Sequence, residues 1–331
     1  MEFGLFLTTQ YALDHSLDGV ADELIAQTEL ARDGGFDRVF VGEHHVTEDD
    51  HYLLNEVVLA HIAEHIGEMQ LGTGMCLLPY HNPVRIAEYG ATLDVLTGGG
   101  FQFGAALGYR QAEFDAFGIT REEAPGRLVE GLEIIKRLWT EDDVTFEGEH
   151  FSLDGASIHP KPVQEPRPDI WIGASNESSI RRAARIADGW MGAHVPFDVA
   201  VSQAEAFRDE RAKHDRGDGV VGLAREVFVA ETTAQAEDAV RDHLMEKYAS
   251  YSDWGQDDVI EGDDFDSPWE KLRHERFIVG DPEEVREAIS RYRDATNLDV
   301  LTIRTQFPSM DPSVARSSIQ LFADEVVPAF Q

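Results

Sequence analysis

Eight times along this chain, a short apolar run of strand length precedes a segment whose apolar residues recur at helical spacing. In the first unit Glu2–Leu7 is apolar, and Leu17, Val20 and Leu24 then follow three and four residues apart. Such alternation predicts parallel strands joined by helices. The eight predicted strands lie within residues 2–7, 36–41, 69–78, 101–106, 169–174, 190–191, 220–230 and 299–305.

The number of strand–helix units and the position of the glycines favour a (β/α)8 barrel over a doubly wound sheet. A length of 331 residues alone allows one barrel or two ordinary domains. A dinucleotide-binding sheet carries its glycine motif between a strand and a helix, whereas Gly98–Gly100 stands between a helix and the next strand. We therefore predict an α/β fold: a single (β/α)8 TIM barrel domain over residues 1–331. Two insertions are expected, a hairpin at about 143–160 and an acidic excursion at about 252–276.

In a (β/α)8 barrel the ligand site lies at the carboxyl ends of the strands, so residues at those ends form the candidate site. They are Thr8, Gln10, His44, Met75, Ala106, Ser175, His194 and Gln306. We predict a loop over Leu107–Gly118 after the fourth strand. That loop and the acidic excursion, placed near the active face or at a dimer contact, are expected to shape the pocket.

The second predicted strand ends in three chemistry-bearing residues. The apolar run Val39–Val41 is followed by Gly42, Glu43, His44 and His45. A carboxylate and two imidazoles at a strand end suit proton transfer near neutral pH. Adjacent histidines in a solvated loop are the alternative interpretation of the same residues.

No metal site is predicted. His61 and His65 are four residues apart on a predicted helix, but no third ligand is evident and apolar residues surround them. Cys76 is the only cysteine, which removes disulfides and thiolate metal sites from consideration and indicates a reducing compartment. A metal-dependent barrel hydrolase is accordingly the least favoured function.

Acidic residues dominate the charge balance. Asp and Glu total 63 against 28 Lys and Arg, which gives a formal net charge of -35. This surface repels nucleic acid and anionic lipid, and it predicts a halophilic source, because dense salt shortens the range of charge repulsion. The start of the chain lacks a basic leader, and no uncharged apolar run reaches the length of a membrane span. We expect a soluble cytoplasmic protein.

Several segments, in order, resemble the bacterial luciferase-like monooxygenase superfamily. They are EFGLF, GFDRVFVGEHH, GTGMCLLPYHNPVRIAE, GGGFQFGAALGYRQAEFDAFG, RPDIWIGASNESSIRRAARIADGW and VGDPEEV. The resemblance covers most of the chain. It implies a (β/α)8 barrel that binds FMN or the deazaflavin F420 and is commonly a homodimer.

Carried over to this sequence, the resemblance gives individual residues a role. It implies that His44 is catalytic beside the flavin, with Glu43 and His45 at its sides. It implies that the turn after the fifth strand receives the flavin phosphate, and it implies a cis peptide between Gly74 and Met75 under the flavin. The cofactor-binding residues so implied are Thr8, Gly74, Met75, Ala106, Arg110, Ser175, Asn176, Ser178 and Ser179.

One departure concerns the fourth strand. Bacterial luciferase has a reactive cysteine followed by arginine there, whereas this chain has Ala106 and Leu107, with Arg110 as the nearest arginine. The segment LGYR is similar to F420-dependent relatives, so the cofactor stays open between FMN and F420.

Three functions follow from the resemblance. The first is a monooxygenase that uses reduced FMN, supplied by a flavin reductase, and molecular oxygen on a small organic substrate. The second is an F420-dependent hydride-transfer oxidoreductase. The third is a flavin-binding protein without catalysis, because a fold does not guarantee chemistry.

Overall fold

The computed structural model describes residues 1–256, 265 and 267–331. Eight parallel strands hydrogen-bond in a closed ring, in the order β6, β5, β4, β3, β2, β1, β8, β7, and β7 pairs back with β6. The predicted (β/α)8 barrel is confirmed. Its strands are β1 Glu2–Leu7, β2 Arg38–Val41, β3 Gln70–Thr73, β4 Phe101–Ala105, β5 Ile170–Gly173, β6 Gly189–Gly192, β7 Val220–Val229 and β8 Val300–Arg304.

Helices follow the barrel strands and cover the outside of the ring. Their bounds are α1 Val20–Asp33, α2 Asn55–Ile62, α3 Pro83–Leu96, α4 Gln111–Phe117, α5 Ala124–Thr140, α6 Glu177–Ile186, α7 Phe197–Lys213, α8 Thr233–Asp253, α9 Trp269–Glu275, α10 Pro282–Thr296 and α11 Pro312–Glu325. Asp281 caps α10 by accepting from the backbone N–H groups of Glu283 and Glu284, with Pro282 at the first helical position. No helix in the described part of the chain is long and apolar enough to cross a membrane.

The segments outside the ring differ in part from the sequence predictions. An antiparallel hairpin, Val144–Glu147 with Ser152–Ala156, lies within the expected insertion at 143–160. The prediction of a loop over 107–118 is wrong in part, because α4 forms there and ends at Gly118, whose φ of +67° suits a glycine C-cap. Part of the expected excursion at 252–276 lies outside the described residues.

Large side chains fill the barrel interior below the strand ends. The rings of Phe40 on β2 and Trp171 on β5 lie 6.2 Å apart, and Met191 and Ala224 pack with them. The guanidinium of Arg38 lies 5.1 Å from the Trp171 ring. We call Phe40, Trp171, Met191 and Ala224 the barrel floor. Phe40, Met191 and Ala224 of this floor line a cavity that opens toward the carboxyl ends of the strands.

Gly104 of β4 lies where a side chain would meet the backbone of β3. A Cβ there would stand 2.1 Å from the carbonyl oxygen of Thr73 and 2.5 Å from the Sδ of Met75. We expect Gly104→Ala to lower the free energy of unfolding by about 1–3 kcal/mol, because the strands must separate to admit the methyl group. Denaturant unfolding measures this. Gly100→Ala is the control, since its Cβ would meet no atom closer than 3.4 Å, and an equal loss in both variants would contradict the prediction.

Candidate active site

A cavity opens above the barrel floor at the carboxyl ends of the strands, and it has a volume of about 250 Å³. Its wall is mainly apolar and aromatic, with polar groups at separate points around the rim. Those polar groups belong to Glu43, His44, Tyr52, Tyr109, Ser175, Asn176, Ser179, His194, Tyr251, Gln256, Thr302 and Arg304.

His44 lies directly after β2 and contributes to the cavity wall. Its Nδ1 is 2.9 Å from the Oε1 of Glu113. Three aromatic rings surround the imidazole at nearly edge-to-face angles, with centroid distances of 5.4 Å to Tyr52, 5.6 Å to Tyr109 and 5.4 Å to Trp254. The imidazole is therefore fixed in orientation with one nitrogen bound to a carboxylate, the arrangement expected of a group that exchanges protons through the other nitrogen.

Glu113 of α4 is fully buried and orients His44. Its Oε1 also accepts from the backbone N–H of His45 at 2.9 Å, and the Arg110 guanidinium lies 3.4 Å away. Burial alone would raise the pKa of this carboxyl, but the hydrogen bond from His44 and the other donors outweigh it and hold the pKa below its usual range. Glu113 thus stays ionised and holds a proton on the Nδ1 of His44. Sequence reasoning missed Glu113, because the segment that carries it was predicted as a loop.

We expect Glu113→Gln to lower turnover by about 10- to 100-fold, since a neutral amide orients His44 less firmly than a carboxylate does. Cofactor affinity is expected to stay near wild type, because Glu113 does not line the cavity. Steady-state kinetics and FMN titration of the variant and the wild type check this. Wild-type turnover in Glu113→Gln would show that the carboxylate does not act on His44.

Glu43 also lines the cavity, and its carboxylate is held by three hydrogen bonds. Its Oε1 accepts from the Nε2 of His45 at 2.8 Å and of His81 at 2.7 Å, and its Oε2 accepts from the backbone N–H of Leu77 at 2.5 Å. Burial opposes ionisation, yet the two imidazoles hold the pKa of Glu43 well below its usual range. Glu43 therefore ties the loop after β2 to the loop after β3. His45, its partner, is not among the residues that line the cavity.

Glu43, Cys76 and His81 bring three potential metal ligand atoms within 4.8 Å of one another. Their chemistry does not favour a metal. Both oxygens of Glu43 already accept hydrogen bonds, and burial raises the pKa of the Cys76 thiol well above its usual value, so that it remains protonated.

The turn between β5 and α6 forms another part of the wall. Ser175, Asn176 and Ser179 line the cavity, and the Asn176 side chain caps α6 by accepting from the N–H of Ser179 at 2.9 Å. Ser178 is exposed and its hydroxyl donates to Asn176 at 2.8 Å, so it lies outside the cavity wall. Arg181 pairs with carboxylates on the helix surface. The amino-terminal end of α6 thus brings the hydroxyl-bearing residues Ser175 and Ser179 to the cavity wall.

The peptide bond between Gly74 and Met75 is cis, as predicted. Both residues line the cavity together with Ala106. A Cβ on Gly173 of β5 would stand 2.9 Å from the Cγ of Met75. Small residues therefore keep this wall smooth and close to the backbone.

Two predicted cofactor residues lie behind the wall. The hydroxyl of Thr8 donates to the carbonyl oxygen of Gln306 at 2.6 Å. Arg110 donates to the carbonyl oxygen of His45 at 2.7 Å, and its guanidinium lies 4.2 Å from the ring of Trp254. Neither residue lines the cavity. Arg110 supports the His44 loop.

The end of β8 brings a buried arginine to the cavity, which sequence reasoning missed. Thr302 and Arg304 both line it. The Arg304 guanidinium donates to the hydroxyl of Tyr251 at 2.9 Å, the Oε1 of Gln10 at 3.3 Å and the hydroxyl of Thr8 at 3.4 Å. The sequence does place Thr302 and Arg304 two residues apart on a predicted strand, so their side chains are expected on the same face.

A buried ion pair stands next to this region. The Nζ of Lys247 on α8 donates to the Oε1 of Glu226 on β7, and both side chains are almost fully buried. The Nε2 of His194, after β6, lies 3.6 Å from the same oxygen. Burial lowers the pKa of His194 to about 3, so this imidazole is neutral near pH 7.

A sequence model of the family described as luciferase-like monooxygenase matches residues 1–297. The chain is 25% identical over 355 residues to the oxygenase component of the flavin-dependent trigonelline monooxygenase of Acinetobacter baylyi, covering 100% of this chain and 96% of that protein. It is 30% identical over 283 residues to the F420-dependent glucose-6-phosphate dehydrogenase of Kineococcus radiotolerans, covering 80% of this chain and 82% of that protein.

Among solved structures, the oxygenating constituent of 3,6-diketocamphane monooxygenase from Pseudomonas putida, in complex with FMN, has the same fold. The TM-score is 0.84 at 20% identity, with 100% of this chain and 99% of that chain covered.

Proposed function

The chain belongs to the luciferase-like monooxygenase family, and on that premise we propose that it is a monooxygenase that uses reduced FMN and molecular oxygen on a small organic substrate. Membership in this family makes it an oxidoreductase. In the proposed reaction one oxygen atom enters the substrate and the other leaves as water, and the two electrons come from reduced FMN. The protein contributes binding, orientation and control of protons.

The observation that carries this proposal is the arrangement of one cavity with His44 and the amino-terminal end of α6 in its wall. The residues fit FMN: the hydroxyls of Ser175 and Ser179 at the amino-terminal end of α6 suit a phosphate. The smooth wall at Gly74–Met75 suits a planar ring. We assign phosphate contact to Ser175, Asn176 and Ser179, and ring contact to Gly74, Met75 and Ala106. When bound, reduced FMN would supply the electrons that activate oxygen.

Within this proposal His44 is the proton donor or acceptor. Glu113 keeps Nδ1 occupied, so Nε2 is the nitrogen that exchanges a proton with the reacting group. The rings of Tyr52, Tyr109 and Trp254 around the imidazole limit the access of water to it. Glu43 and His45 are assigned to holding the loop that carries His44.

The proposal extends to partners. Acinetobacter baylyi trigonelline monooxygenase is named as an oxygenase component, and on this likeness we propose that a separate flavin reductase supplies reduced FMN to this chain. The family resemblance supports a homodimer. Size-exclusion chromatography with light scattering tests the second point.

F420-dependent hydride transfer is the second candidate, because a relative at 30% identity is an F420-dependent dehydrogenase. Here a substrate hydride would pass to F420 without oxygen. His44 would then accept the proton that leaves the substrate hydroxyl.

Binding and isotope incorporation separate the candidates. The purified protein is titrated with FMN and with F420, followed by fluorescence. Loaded protein is then supplied with a panel of small organic compounds, isotopically labelled oxygen, NADH and a general flavin reductase. Label in an organic product, which depends on FMN, supports the monooxygenase. Product formed without oxygen and with F420 alone supports the second candidate, and tight FMN binding without any turnover favours a non-catalytic flavoprotein.

A further inference from the structure

The inward face of β8 carries a charge that the proposed oxygenation does not use. Thr302 and Arg304 alternate with outward residues and both reach the cavity wall. Arg304 is only 4% exposed. A guanidinium cannot lose its proton in a protein, so a full positive charge stands in this wall.

The hydrogen-bond partners of Arg304 are neutral. Within residues 1–256, 265 and 267–331 they are the oxygens of Tyr251, Gln10 and Thr8, and no carboxylate lies within 4.0 Å of the guanidinium. Burial raises the pKa of Tyr251, so that hydroxyl stays neutral. Glu226 acts on Arg304 electrostatically, but its Oε1 accepts from Lys247. A buried cation without a carboxylate partner is unusual, because an anion normally offsets its lost hydration.

Two further polar atoms on this side of the cavity have no hydrogen-bond partner in the described part of the chain. They are the Oγ1 of Thr302 and the Nε2 of His194. Both residues line the cavity. The Nε2 of His194 faces the ionised Glu226, 3.6 Å away, and is therefore not counted as a donor to a second carboxylate. The hydroxyl of Thr302 can donate to an anionic oxygen without adding repulsion. The fork-shaped guanidinium donors of Arg304 and this hydroxyl match the several lone pairs of a carboxylate.

We propose that the substrate carries a carboxylate, which binds to Arg304 with support from Thr302. This inference rests on the proposed function and names the substrate class for the same cavity. The aromatic side chains of Phe6, Phe40 and Tyr52 line the cavity, so the rest of the substrate is apolar or aromatic. The proposed carboxylate site at the end of β8 is separate from the proposed phosphate site at the turn after β5, because β7 and β6 lie between β8 and β5 in the barrel.

The acidic surface of the protein makes a local cation necessary for binding a carboxylate. With a formal net charge of -35, the surface repels anions at long range. A carboxylate therefore gains little from the general field and depends on a local cation. Arg304 is that cation.

Matched acid and amide pairs test the proposal. Benzoate with benzamide, phenylacetate with phenylacetamide, and hexanoate with hexanamide are titrated by calorimetry into FMN-loaded protein. We expect at least one acid to bind roughly 10- to 100-fold more tightly than its amide. Arg304→Gln should remove this preference while FMN affinity stays near wild type, and Arg304→Lys should keep part of it. Arg85→Gln, on the exposed surface, is the control and should leave the preference intact.

Other outcomes overturn the inference. Equal binding of acids and amides to the wild type, or no binding of any acid, would refute it. If Arg304→Gln weakens FMN binding in parallel, Arg304 serves the cofactor and the substrate assignment fails while the proposed function stands. If FMN does not bind the wild type, the proposed function fails, and the acid preference is then measured on the unloaded protein. Circular dichroism verifies that each variant is folded.

Discussion

We expect His44→Asn to lower turnover by about 10²- to 10⁴-fold, the range typical for loss of a general acid or base. The amide has a similar size and can still accept from or donate to neighbours, but it cannot exchange a proton near neutral pH. FMN affinity should change little, because the phosphate and ring contacts assigned above come from β3, β4 and the β5 turn. Turnover is measured as substrate-dependent oxygen uptake, using the substrate found in the labelled-oxygen screen.

The adjacent histidine provides a matched control. In His45→Asn the same substitution falls on an imidazole that hydrogen-bonds to Glu43 and does not line the cavity. Its effect on turnover should be smaller than that of His44→Asn, because His45 acts only through the loop that carries His44. Equal losses in the two variants would contradict the assignment of proton exchange to His44, as would full activity of His44→Asn.

Replacing Lys247 with methionine is expected to destabilise the fold by about 3–5 kcal/mol, because the variant leaves Glu226 buried without its cation. Burial alone would raise the pKa of Glu226, and Lys247 outweighs it and keeps that pKa below the usual range. Burial lowers the pKa of Lys247 in turn. Each group thus depends on the other to remain charged. Denaturant unfolding at fixed protein concentration measures the loss.

A double variant separates the pair from simple loss of packing. Lys247→Met with Glu226→Gln removes both charges and should recover most of the lost stability, since uncharged replacements of a buried pair are often nearly neutral. The exposed pair of Arg85 and Glu56, 2.6 Å apart, is the control, and Arg85→Met should cost about 0–1 kcal/mol. If the double variant is as unstable as Lys247→Met, the charge explanation is wrong.

The barrel could be predicted from the sequence because its strands are apolar runs separated by helical periodicity. Glu2–Leu7, for example, has the predicted bounds. The additional strands Gln10–Ala12 and Ile278–Gly280 were not predicted, since each spans three residues and depends on a distant partner for its hydrogen bonds. Patterns of such length carry almost no periodicity.

Residues of the candidate site could be predicted from the sequence only where they stand directly at the end of a predicted strand. His44, Met75 and Ser175 line the cavity as expected. Glu113 could not be found in this way, because it reaches His44 from a helix 69 residues further along the chain. Arg304 was missed because an arginine inside a predicted strand gives no sign of whether its charge has a partner. Whether a buried charge is paired is a property of packing, and packing is not local in sequence.

Phe40, Trp171, Met191 and Ala224 fill the barrel from below, so within the described chain His44 and Arg304 are reached from the mouth between the strand-end loops. If the proposed cofactor and substrate both enter through this mouth, the molecule that binds deeper in the cavity must bind first and leave last. The steady-state kinetics should therefore follow a compulsory order of addition. Departure of the outermost molecule then limits how soon the next cycle begins.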